Sequence, residues 1–93
     1  MKIYSLLKIV ADTEMSLESS VELFSSHEKG LKLFDSYEKE YLDKVKKEND
    51  FTDEELEQYI EDNRESLRDE YCLSHYIDED GNEFLIELDV HNM

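Results

Sequence analysis

The spacing of hydrophobic residues changes several times along this chain. From Lys2 to Val10 (KIYSLLKIV) apolar residues occupy both parities, Ile3, Leu7 and Ile9 on one and Tyr4, Leu6 and Val10 on the other. A strand that is apolar on both sides belongs in the interior of a sheet. The next segment, Ala11–Ser20, is a polar connector with only Met15 and Leu17 as anchors, and Val21–Phe24 is short and β-prone. The pattern predicts two strands, joined by a long hairpin loop over Asp12–Ser20 or running further into that segment.

From Ser26 to Asn49 the apolar residues recur at helical steps. Leu31, Phe34, Tyr37, Tyr41 and Val45 form one stripe, widened by Leu33 and Leu42. Ser25 and Glu28 have the spacing of a capping box that would open this helix. Gly30 falls in its first turn, where a close packing contact would explain it. Lys44, Lys46 and Lys47 suit the negative end of the helix dipole, and Asn49-Asp50 ends the run. A second helix is predicted over Thr52–Tyr71 (TDEELEQYIEDNRESLRDEY). Thr52 and Glu55 form another capping box. Leu56, Tyr59, Ile60, Asn63, Leu67 and Tyr71 make the buried stripe, and Glu54, Gln58, Glu61, Glu65 and Asp69 fall on the opposite face.

Two runs of β character follow, Cys72–Ile77 and Phe84–Val90, separated by DEDGNE. Asp80-Gly81 is a strong signal for a two-residue type I′ hairpin turn. Centring the hairpin there pairs Ile77 with Phe84, His75 with Ile86 and Leu73 with Leu88 on the inner face. Tyr76, Leu85, Glu87 and Asp89 then point outward. The element order is β-β-α-α-β-β, which predicts one α+β domain over residues 1–93. Its four-stranded, mostly antiparallel sheet carries both helices on one face.

Composition changes the functional picture more than the fold. The chain has 26 acidic and 10 basic residues, a formal net charge of −16. Phosphate attraction supplies most nucleic-acid affinity, so direct binding to DNA or RNA is not expected; anionic membranes are disfavoured for the same reason. No run approaches the roughly 20 apolar residues of a membrane span, and the apolar start is too short for a secretory signal. A lone cysteine, Cys72, allows no internal disulfide and points weakly to the cytoplasm. The charge is also uneven. Residues 1–50 carry eleven acids and eight lysines, whereas residues 51–93 carry fifteen acids and two arginines.

Candidate chemistry is sparse. His27, His75 and His91 have no helical metal spacing, and a strand turns Cys72 and His75 to opposite faces. Asp78, Asp80, Gly81, Asn82 and Glu87 match part of a calcium-loop spacing, but Tyr76 stands where its first carboxylate belongs. The segment therefore reads as a hairpin turn. No enzyme activity, cofactor or metal is expected.

The acid row offers more. Carboxylates four apart on a helix advance about 6 Å along its axis, against about 3.4 Å between phosphates of one DNA strand. They therefore imitate charge density and not phosphate positions. In size and charge the chain resembles the loose class of acidic DNA-mimic inhibitors, which includes phage anti-CRISPR and anti-restriction proteins and some toxin-immunity proteins. The resemblance implies an inhibitor of a basic, nucleic-acid-handling protein. The candidate contact residues are Glu54, Glu57, Glu61, Glu65 and Asp69, the turn residues Asp78, Glu79 and Asp80, and Tyr76 and Leu85 as exposed anchors beside Tyr59. The alternative is an assembly or adaptor module that dimerises through a sheet face or edge, with its acid serving solubility.

Overall fold

The computed structural model describes residues 1–12 and 17–92. The elements are β1 (Lys2–Ala11), β2 (Leu17–Phe24), α1 (His27–Asn49), α2 (Asp53–Asn63), β3 (Arg64–Arg68), β4 (Cys72–Ile77) and β5 (Glu83–Asn92). They form an α+β fold with a five-stranded antiparallel sheet in the order β2-β1-β5-β4-β3. α1 lies across β5, β1 and β2, and α2 across β4 and β3, on the same face. The strand predicted as interior, β1, lies between β2 and β5.

The fifth strand corrects the sequence reading. The long acidic helix ends at Asn63, and RESLR turns into an edge strand paired with β4. The last turn of α2 has no basic residue to meet the negative end of its dipole, and pairing with β4 satisfies the backbone of residues 64–68 in the sheet. Asn63 stops the helix by donating its side-chain amide to the Tyr59 carbonyl. The backbone of residues 64–68 then covers the free edge of β4, and Leu67, expected in the helix stripe, is 56% exposed. The start of α2 is as predicted, with Thr52 and Glu55 exchanging both bonds of the capping box. The cap of α1 shifts by one residue: Ser26, not Ser25, accepts from the Lys29 amide.

The β4–β5 hairpin is the second correction. Its register pairs Tyr76 with Phe84, Ser74 with Ile86 and Cys72 with Leu88. This is a one-residue slip from the pairing centred on Asp80-Gly81. The loop has three residues, Glu79, Asp80 and Gly81. The Gly81 amide donates to the Asp78 carbonyl, and the Asp78 amide to the Asn82 carbonyl. Within the loop only Gly81 has a positive φ, 85°, whereas type I′ requires it at both central positions. The Asp78 carboxylate stabilises the loop by accepting from the Asp80 and Asn82 amides and from the Asn82 side chain. Because side chains alternate, the slip turns β4 over. Cys72, Ser74 and Tyr76 face the helices, and Leu73, His75 and Ile77 face away.

The core therefore joins Tyr4, Leu6, Phe34, Cys72, Tyr76, Phe84, Ile86 and Leu88. Phe84, Ile86 and Leu88 point inward as predicted. The helix 1 stripe packs against them through buried Phe34 with half-buried Leu31, Leu33, Tyr37, Tyr41 and Leu42. Gly30 packs under Leu88, whose Cδ1 would lie 2.8 Å from an added Cβ. Tyr41 stacks on Phe84 at 4.2 Å between ring centroids, and its hydroxyl lies 2.8 Å from that of Tyr59, tying α1 to α2. Of the two readings of Asp12–Ser20, the one in which the strand runs into the segment holds from Leu17, where β2 begins, and Leu17 is 69% exposed. Met15, read as the other anchor of that connector, lies outside the described residues.

Candidate functional site

The ten candidate residues do not form one row. Glu54, Glu57 and Glu61 stay together along the exposed side of α2, opposite Leu56, Tyr59 and Ile60. Among the described residues, no ion pair or hydrogen bond reaches their carboxylates. The other acids of α2 are engaged locally. Asp53 pairs with Lys46, whose hydrogen bond holds the Asp53 carboxyl below its ordinary pKa. Glu55 closes the cap, and Asp62 accepts from Gln58. Glu79 and Asp80 are exposed at the hairpin tip.

The remaining candidates are placed elsewhere. Glu65 leaves the helix row and joins β3 opposite His75. Asp69 sits in the β3–β4 turn, where its carboxylate accepts from the Glu70 amide. Asp78 is consumed by its own loop. Tyr76 is the clearest correction: it is 0% exposed, so it anchors the core and not a partner. Its hydroxyl donates to Glu38 at 3.2 Å, and burial followed by the Glu38 charge pushes its pKa upward. Tyr59 is half-buried, and burial raises its pKa as well. Leu85 alone of the apolar candidates lies on the outer face, half-buried between Ile9 and His75.

Half of the ten lysines and arginines are ion-paired within the chain. Lys2 meets Glu70 at 2.8 Å and holds that carboxyl below its usual range. Arg68 makes a two-pronged contact with Asp35 at 2.8 and 3.0 Å. Lys32 and Lys44 lie near Glu28 and Glu48. The consequence is a helix side on which acid stands without counter-charge. An open cleft of about 610 Å³ lies between α1 and the hairpin end of the sheet, with Lys8, Tyr37, Tyr41, Lys44, Tyr59 and Phe84 in its wall. Among the described residues, no group of three or more His, Cys, Asp or Glu side chains is arranged to hold a metal ion, and no helix is long and apolar enough to cross a membrane. Cys72 is buried, its thiol donating to the Asp69 carbonyl at 3.0 Å.

The outer face of the sheet is a different surface, and sequence reasoning missed half of it. On β1 it carries Ile3, Ser5, Leu7, Ile9 and Ala11; on β2, Leu17, Ser19, Val21 and Leu23. In a chain that is 39% charged, these nine positions hold no charge. The signal was present as the alternation of Leu17, Ser19, Val21 and Leu23 with Glu18, Ser20 and Glu22. Reading residues 12–20 as loop concealed it. Rows across the sheet extend the patch. Val21, Leu7, Glu87, Leu73 and Leu67 form one, and Ser19, Ile9, Leu85, His75 and Glu65 the next. The acids on this face are largely engaged within the chain. Glu87 accepts from Tyr71 at 2.6 Å, Glu83 lies 2.9 Å from His75, and Asp89 accepts from the Val90 amide. Comparison with protein-family models, with curated proteins and with solved structures found no match.

Proposed function

We propose that this chain is a non-enzymatic acidic inhibitor that occupies a basic, nucleic-acid-binding surface of a partner protein. A phage anti-defence role, such as an anti-CRISPR, is its most concrete form. The observation that carries the reading is the uncompensated acid of α2: Glu54, Glu57 and Glu61 are exposed on one side and unpaired among the described residues. Glu54 and Glu61 are seven residues apart, about 10 Å along the axis, a span that meets several arginines or lysines of a groove. Glu79 and Asp80 at the hairpin tip supply a second contact. Unpaired surface carboxylates steer a basic partner and bind guanidinium groups by charge-assisted hydrogen bonds.

The test is competition with DNA. DNA-binding proteins of a bacterial lysate are held on DNA-cellulose at low salt, and the protein is applied. Displacement of a defined basic protein is expected, fading as ionic strength passes about 0.1 M, where the Debye length is about 10 Å. Changing Glu54, Glu57 and Glu61 to Lys should slow association by at least about tenfold, since steering contributes about 10- to 1,000-fold. Reversal of Glu18, Glu40 and Asp43 alters net charge equally and is the control. Equal loss in both variants, or no displacement by the wild type, would reject an α2 site.

A further inference from the structure

We propose that the outer face of the sheet is the interface of a homodimer, in which two copies stack sheet on sheet with their helices outward. Both helices cover the inner face, so nothing else described in the chain covers the outer one. Its exposed members are large and aliphatic: Leu17 and Leu23 are each 69% exposed and Val21 62%. Five strands about 4.8 Å apart and about eight residues long at roughly 3.3 Å each span on the order of 600 Å² before side-chain relief. That approaches the roughly 800 Å² per partner of a stable interface.

Charge identifies the occupant as a second copy. The nine outer positions of β1 and β2 offer nothing to the cations of a basic partner, whose natural contact is the acid of α2 on the other side. A two-fold stack sets aliphatic carbon against the same aliphatic carbon, the self-complementary arrangement of an isologous interface. Sheets packed in this way lie about 10 Å apart with their strands within about 30°. Glu83, Glu87 and Asp89 lie along the central strand β5, already bonded to His75, Tyr71 and the Val90 amide, and Glu65 lies on the edge strand β3, where its carboxylate stays at the solvated rim. The two acidic helix layers end on the far sides of the dimer.

Sedimentation equilibrium on the purified chain tests this at about 0.1 M and about 1 M sodium chloride. A dimer is expected, and it should tighten with salt, because salt screens the repulsion between two copies of charge −16. Binding to a basic partner has the opposite salt dependence, so the two proposals fail separately. Val21→Arg should weaken the dimer by at least about tenfold, since it buries an unpaired charge, and Leu85→Arg by as much, since it drives a longer side chain into the contact between Glu83 and Glu87. Circular dichroism checks that both variants remain folded; Val21→Arg, at an exposed site, keeps the test valid if Leu85→Arg does not fold. Val21→Arg should leave displacement from DNA-cellulose unchanged. A monomer at all concentrations, a dimer weakened by salt, or a dimer insensitive to Val21→Arg would overturn the proposal. Loss with Val21→Arg but not with folded Leu85→Arg would also overturn it, by placing the contact on the β2 edge.

Discussion

The two faces of the sheet are built from alternate residues of the same strands, yet they have opposite fates. Along β1, Tyr4 and Leu6 are buried beneath α1, while Ile3, Leu7 and Ile9 point to a face that no described element covers. Along β5, Phe84, Ile86 and Leu88 are no more than 2% exposed, while Leu85 and Glu87 between them are only half-buried. Aromatic rings collect on the covered side and aliphatic chains on the bare one. The difference teaches that hydrophobicity alone does not mark a core position here. The same Leu or Ile supports the fold on one parity and remains available for contact on the other. The charges divide in parallel, absent from nine outer positions of β1 and β2 and dense on the outside of α2.

The largest way to break this contrast is alkaline pH. Burial first, with neighbouring hydroxyls and carboxylates after it, raises the pKa of Tyr41 and Tyr76, and burial also leads for Tyr37 and Tyr59. These four lie on the helix side. On the bare side, the hydrogen bond to Glu87 raises Tyr71 to about 12. A group whose folded pKa is raised contributes stability that is complete below its unfolded value, near 10 for tyrosine, and lost as pH rises through the folded value. Stability should therefore hold up to about pH 10 and then fall steeply, as the unfolded chain loses phenol protons that the folded chain keeps. A melting series with tyrosinate absorbance checks it. Tyr71→Phe should make the fall above about pH 10 shallower, because one phenol proton that the folded chain keeps is gone, and an unchanged fall would contradict the contact with Glu87.

A smaller and more local effect compares neighbours on one strand. Ile86→Ala, on the covered face, should cost about 2–5 kcal/mol. Leu85→Ala, one residue earlier on the bare face, should cost under about 1 kcal/mol in the dissociated monomer. Urea denaturation at low protein concentration measures both. Equal costs would mean that Leu85 belongs to a core.

Much of this was legible in the sequence, and the misses share a cause. Strong periodicity revealed α1, β1, the α2 start at Thr52 and the inward set Phe84, Ile86 and Leu88. Weak or double-valued periodicity failed. RESLR continued the helical spacing of Leu67 and Tyr71, and only the wrong sign of charge at a helix C-terminus argued against it. β2 alternates correctly, but its apolar side is exposed and its inner side carries Glu18, Ser20 and Glu22, so neither face looked like a strand in a core. Of the candidate site, Glu54, Glu57 and Glu61 needed only the first turns of α2, and they stay together. Glu65, Asp69 and Tyr76 depended on a helix end and a register that hydrophobic spacing does not determine.

The turn that fits this register is held by a small group of atoms, and disturbing them should cost less than truncating Ile86. Asp78 accepts three hydrogen bonds within its loop, at 3.0 Å from the Asp80 amide, 2.9 Å from the Asn82 amide and 3.1 Å from the Asn82 side chain. These bonds hold the three-residue turn that pairs Tyr76 with Phe84 and leaves Leu85 outside. Asp78→Ala removes them near the surface, where water replaces part of the loss, so the cost should be about 1–2 kcal/mol. Gly81→Ala forces a side chain into the left-handed region at φ 85° and should cost about 1–2 kcal/mol. Neither change should turn β4 over, because the slip would carry Tyr76 out of the core and His75 into it. Solvent protection of the Tyr76 ring, read by fluorescence quenching or by nuclear magnetic resonance, should persist in both variants. A Tyr76 that becomes exposed in Asp78→Ala would mean that the turn, and not the packing of the covered face, decides which side of β4 is buried.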